Sequence, residues 1–163
     1  MAAAGVAAVG VASAQTKVAV INMQQAVLAT GDIKKQSAEL EAKYKPRSLA
    51  IEQLRADLDG IQQKLQAGQG KLSPAAEQDL TVEGQRKQRA LQRMSQDLQD
   101  EVDGARNEIL GAAGRRMIEV IRKLADEKGV DVVVEGNSTL FFKAALDITA
   151  DATAAYDKAY PAK

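Results

Sequence analysis

The stretch Ile51-Glu52-Gln53-Leu54-Arg55-Ala56-Asp57-Leu58-Asp59-Gly60-Ile61-Gln62-Gln63-Lys64-Leu65 decides the fold. Its large apolar residues stand at 51, 54, 58, 61 and 65, alternating steps of three and four, and polar residues fill most of the gaps. That alternation is the seam of a coiled coil, since 3.5 residues per turn keeps one narrow stripe facing a partner helix. Extended backwards without a slip, the seam runs through Ala26, Thr30, Ile33, Ser37, Leu40, Tyr44 and Arg47. Nine of its twelve positions are apolar, enough to hold one long helix against another. Pro46 lies inside it, where a missing N–H and a ring clash kink or break a helix.

Downstream, Gly68-Gln69-Gly70-Lys71-Leu72-Ser73-Pro74 reads as a hairpin tip, with Ser73 as N-cap and Pro74 at the first helical position. Gly70-Lys71 is not a phosphate loop. Leu72 follows the lysine where Ser or Thr is required, and a helix precedes it instead of a strand. A second helix is expected from about Ala75 to Lys128, stopped by Gly129. Its apolar positions Leu91, Met94, Leu98, Val102, Ala105, Ile109, Ala113, Met117, Val120 and Leu124 step mostly by four, so it should be straight or slightly right-handed. At ~1.5 Å per residue, about 50 residues make an arm roughly 75 Å long.

Strand signals flank the helices. Lys17-Val18-Ala19-Val20-Ile21 is a short apolar run, read as a strand covered on both faces, and Asn22 can cap a helix starting near Met23. Val130 to Glu135, the turn Gly136-Asn137-Ser138 and Thr139 to Phe142 read as a β-hairpin. Thr149 is the expected cap of a last short helix ended by Pro161. The fold class is mainly α with a small β body: an antiparallel helical arm over about 24–128, and a body from 17–22 plus 130–160. Three such short strands do not hide both faces of a sheet in so thin a monomer. Val18, Val20, Val132, Val134, Phe141 and Phe142 are therefore the candidate oligomerisation residues.

Composition narrows the function. The 163 residues carry 22 basic and 22 acidic side chains, a balance that argues against nucleic acid as a main partner. Without His or Cys there is no His-based triad, no thiol nucleophile and no ligand set for most zinc, haem or iron–sulfur centres. Asp97, Asp100 and Glu101 share one helix face, which without a loop or a second ligand cluster reads as a solvated face and not a cation site. Neither an enzyme nor a cofactor is expected. At the N-terminus, the small apolar residues Ala2 to Val11 and the sequence Ala12-Ser13-Ala14 before Gln15 read as a signal peptide over 1–14, its basic start lying upstream, with residues 15–163 as the exported domain.

Lys17-Val18-Ala19-Val20-Ile21-Asn22-Met23, Val130 through Asn137, and Asp147-Ile148-Thr149-Ala150-Asp151 resemble the opening strand, second strand and turn, and closing segment of Skp, the OmpH-like periplasmic chaperones. The charged helical hairpin between them matches by pattern. The resemblance implies a homotrimer with a β body and helical tentacles around a cavity. It implies an ATP-independent periplasmic holdase for unfolded outer-membrane proteins. The family's proposed lipopolysaccharide site is a basic patch on the arm. Here Arg86, Lys87, Arg89 and Arg93 are basic, but Asp97, Asp100, Glu101 and Asp103 follow, which leaves lipid or lipopolysaccharide contact open. The basic group reads equally as a belt that steers clients by charge and as a plain exposed helix face. Candidate hinges are Pro46 and the stripe Gly104, Gly111, Gly114. The competing function is a structural coiled-coil spacer or adaptor of the cell envelope.

Overall fold

The computed structural model describes residues 16–162. The expected signal segment, 1–14, lies outside them. The order is β1 (Val18–Ile21), α1 (Met23–Ala29), α2 (Gly31–Ala67), α3 (Pro74–Lys128), β2 (Val132–Glu135), two short 3-10 turns, and α4 (Thr149–Ala159).

Local chemistry sets the ends of these elements. Asn22 Oδ1 accepts from Gln25 N, and Ser73 Oγ accepts from Ala76 N with Pro74 beside it, so each cap satisfies an amide the helix itself cannot. Gly129 takes the left-handed conformation (φ 61°) that ends α3, and Gly70 does the same (φ 72°) at the tip. One break falls where the seam reads straight through. Thr30 leaves helical geometry (φ −63°, ψ 147°), ending α1 and capping α2 through its hydroxyl on Ile33 N. The other expected break does not occur: α2 runs unbroken through Pro46. Pro46 and Ala42, whose carbonyl loses its partner there, are both exposed, so water takes over the missing bond.

The long helices pack antiparallel along the predicted seam. Tyr44, Ile51, Leu58 and Ile61 of α2 are buried, and α3 answers with Ala113, Met117, Val120 and Leu124 at its root. Near the body, Ala19, Ile21, Ala26, Val27 and Ile33 join that α3 face, Ile148, Ala152 and Tyr156 in one core.

The sheet corrects the expected hairpin. β1 pairs parallel with β2, Val18 opposite Val132 and Ile21 opposite Glu135, while Asp147 bridges β1 on its other side at Val20. Residues 136–138 form a 3-10 turn instead of a hairpin turn, and the Thr139 hydroxyl donates back to Glu135 O. The chain is thereby led away from β2, and residues 139–142 make no strand. Thr149 is also not the cap of α4. Asp147 Oδ1 accepts from Thr149 N (2.8 Å), and the Thr149 hydroxyl accepts from Asn22 N (2.9 Å).

Candidate functional site

The candidate functional surfaces are the arm and the sheet edge. Apolar grooves run beside the arm seam. Between Leu40 and Tyr44 of α2 and Val102, Ile109 and Leu110 of α3 lies an apolar cleft of about 560 Å³, rimmed by Glu41, Lys45 and Arg106. A second of about 420 Å³, nearer the tip, is lined by Leu58, Ile61, Leu65, Leu80 and Gly84. Both lie open along the flank of the helix pair, beside seam residues that are themselves buried. The buried Ser95 Oγ has no hydrogen-bond partner and borders a third gap, with Glu52, Arg55 and Gln99 around it, polar and roomy enough for water.

Ion pairs cross the arm where apolar contact is thin. Arg47, at a seam position, turns its guanidinium to Glu101 and lies 6.0 Å from the Tyr44 ring centre. Lys87 Nζ reaches Asp57 Oδ2 at 2.7 Å, and Arg116 reaches Asp32 at 3.4 Å. The hydrogen bond from Lys87, with a smaller contribution from Gln53, lowers the Asp57 pKa below its usual 3.8; the same bond raises that of Lys87.

The predicted basic belt thus divides. Lys87 is half-buried and used inside the arm, while Arg86, Arg89 and Arg93 are exposed, at spacings of three and four on one helix face. They make no ion pair among the described residues. The acidic residues 97–103 gather no third ligand: among the described residues no group of three potential metal ligands forms. The glycine stripe faces open space. A Cβ at Gly104 or Gly114 meets nothing within 4 Å, and one at Gly111 only Arg115 at 3.7 Å. Within one chain these glycines therefore admit no close helix neighbour.

The six candidate oligomerisation residues also divide. Val132 is 44% exposed, Phe141 80%, and Val18 is exposed beside them; Val134 and Phe142 are half-buried. Val20 is corrected. It is buried within its own chain, with β2 on one side and the Asp147 segment on the other, and Val20 O accepts from Ile148 N. Leu140, which the sequence reading placed in the second hairpin strand but not among the oligomerisation residues, is fully exposed too. The cluster of Asp32, Arg116 and Tyr156 escaped the sequence reading. The only local signal is Thr30-Gly31-Asp32, a hydroxyl cap followed by an acid in the first helical turn.

A strand–helical hairpin–strand chain with this topology can be set beside known proteins. The family model for outer membrane protein (OmpH-like) matches residues 17–156. The chain belongs to the OmpH-like family. It is 31% identical to the chaperone protein Skp of Pectobacterium atrosepticum, over 91% of this chain and 93% of that one. It is 25% identical to a Skp-like protein of Pseudomonas aeruginosa, over 85% and 82%. A solved OmpH-like outer membrane chaperone structure from Caulobacter crescentus superposes with a TM-score of 0.73 at 21% identity, covering 92% of this chain and 89% of that one. The OmpH-like family consists of chaperones and not enzymes. Among its described residues, this OmpH-like chain has no helix long and apolar enough to cross a membrane.

Proposed function

We propose that this chain is an ATP-independent holdase of the periplasm, working as a homotrimer on unfolded outer-membrane proteins. The reading takes residues 1–14 as a removed signal peptide and 15–163 as the working domain. The observation that carries it is the pairing of a long two-helix arm with apolar side chains left exposed at the sheet edge and just after it: Val18 and Val132 on the two paired strands, Leu140 and Phe141 in the segment that follows β2. Self-association of that edge would gather several arms around one space. The relatives named as Skp chaperones support the same reading. Exposed Arg86, Arg89 and Arg93 offer charge to a client or an anionic lipid, and the proposal leaves that choice open.

The test is light scattering of a denatured outer-membrane β-barrel protein diluted into buffer. Suppression of aggregation without nucleotide, at a few trimers per client, is the expected result; a requirement for ATP, or no suppression, would sink the proposal. One observation favours the stiff spacer instead, namely that α2 passes unbroken through Pro46. A spacer leaves the aggregation curve unchanged.

Flexibility of the returning helix has its own test. Because Cβ atoms at Gly104, Gly111 and Gly114 meet open space or one side-chain end, changing all three to Ala should stabilise α3 by roughly 2 kcal/mol, up to ~1 kcal/mol per site. Hydrogen exchange through 104–114 should slow and the range of client sizes held should narrow. Destabilisation would show instead that a partner subunit packs on the stripe.

A further inference from the structure

The arm joins the body at two places of different kind. α3 enters the core as one uninterrupted helix, but the outgoing chain is cut at Thr30, so the direction of α2 relative to α1 is set by a single non-helical residue. Thr30 is completely buried, and its hydroxyl donates to Val27 O at 2.8 Å. Helix α4 lies against this joint. Thr149, Thr153 and Asp157 occupy one stripe of it, four residues apart, and each uses a side-chain oxygen on the backbone of the segment opposite. Thr149 Oγ accepts from Asn22 N (2.9 Å), Thr153 Oγ donates to Ala26 O (3.1 Å), and Asp157 Oδ1 accepts from Gly31 N (2.9 Å).

The last of these reaches past the break. Gly31 is the first residue of α2, and its N–H has no partner within the helix. One residue further on, Asp32 Oδ2 accepts from the Tyr156 hydroxyl and from Arg116 of α3, each at 3.4 Å, and Arg116 also stacks over Tyr160 at 5.3 Å. The first turn of α2 is therefore held from α4 on one side and from α3 on the other.

We infer that α4 is a latch that fixes the angle at which the arm leaves the body, with the Asp157–Gly31 hydrogen bond as its closing contact. Helix capping and core packing account for Asn22, Thr30 and Tyr156 without it. They do not account for an acid on α4 aimed at an amide that α2 itself leaves unpaired just beyond the break. The latch uses contacts within one chain and does not rest on trimer formation or client binding.

Its absence of cysteine lets the full chain be labelled at will. Spin labels on Gln69→Cys at the tip and Ser138→Cys on the body, with labelled chains diluted into unlabelled protein, report the spread of arm angles by pulsed dipolar spectroscopy. Asp157→Ala should broaden the tip-to-body distance distribution roughly twofold. Gly31→Pro removes the donor and sets its ring Cδ where the N–H met the Asp157 carboxylate, which must then move aside; Pro is accepted at the first helical position and the extended Thr30 already suits a residue before proline, so the helix persists and the distribution should broaden as well. The double variant should be no broader than either single one. Asp157→Asn, whose amide oxygen still accepts, should stay with the wild type. A wild-type distribution in Asp157→Ala, or an Asp157→Asn as broad as Asp157→Ala, overturns the inference. So does loss of helical circular dichroism in both Asp157→Ala and Gly31→Pro, which would assign the contact to folding instead of to arm angle.

Discussion

Tyr156→Ala should destabilise the protein by about 4 kcal/mol, the largest loss expected of any single truncation, lowering the melting temperature by roughly 10 °C. Tyr156 is completely buried, the largest such side chain among the described residues, and it sits where α4, α1 and the root of α3 meet. Truncation opens a cavity among Ala26, Met117 and Ala152, groups fixed by three different elements and thus unable to collapse together. It also strips the Asp32 carboxylate of one of its three donors, leaving Gln36 and Arg116. Burial raises the hydroxyl pKa, so the group is a neutral donor at any pH of interest. Tyr156→Phe separates the two contributions. It keeps the ring and loses only a long hydrogen bond, and should cost about 1 kcal/mol or less. Thermal melts followed by circular dichroism check both. A melt of Tyr156→Ala within a degree or two of wild type would mean that α4 does not belong to the cooperative unit.

Val132→Asp should dissociate the proposed trimer. Val132 lies at the start of β2, the strand whose outer edge has no partner among the described residues, and it pairs with exposed Val18; Leu140 and Phe141 are exposed in the segment that follows β2. If those residues cover one another between subunits, the new carboxylate is desolvated without a counter-charge, at about 3 kcal/mol per protomer or roughly 100-fold in affinity. Sedimentation at micromolar concentration should then find a species near the 17.4 kDa of the single chain where the wild type sediments near three times that mass. The substitution is mild within one chain, because position 132 is already exposed there, so helix content should persist. A trimeric Val132→Asp would move the interface away from this edge, and a monomeric wild type would remove the trimer altogether.

Short-range chemistry carried most of the legible part of this molecule. Heptad steps of three and four placed Ile51, Leu58 and Ile61 in the seam; Asn22, Ser73, Pro74 and Gly129 marked helix ends from their own side chains or lack of one; and the charge balance with absent His and Cys removed whole classes of chemistry. Each of these signals acts over a few residues, so the sequence alone determined an arm of two long helices, its tip, and two of the strands at its ends. What tertiary structure decided is written between residues far apart in the sequence. β1 chose β2 in parallel and the Asp147 segment on its other side, which buried Val20 and left 139–142 without a partner. Arg47 found Glu101 from a seam position, Lys87 left the basic belt for Asp57, and Thr30 broke a helix that periodicity carried straight through. Periodicity states which face of an element is apolar; it does not state which distant element covers that face, because pairing is settled by the joint packing of β1, α1, α3 and α4 around one core.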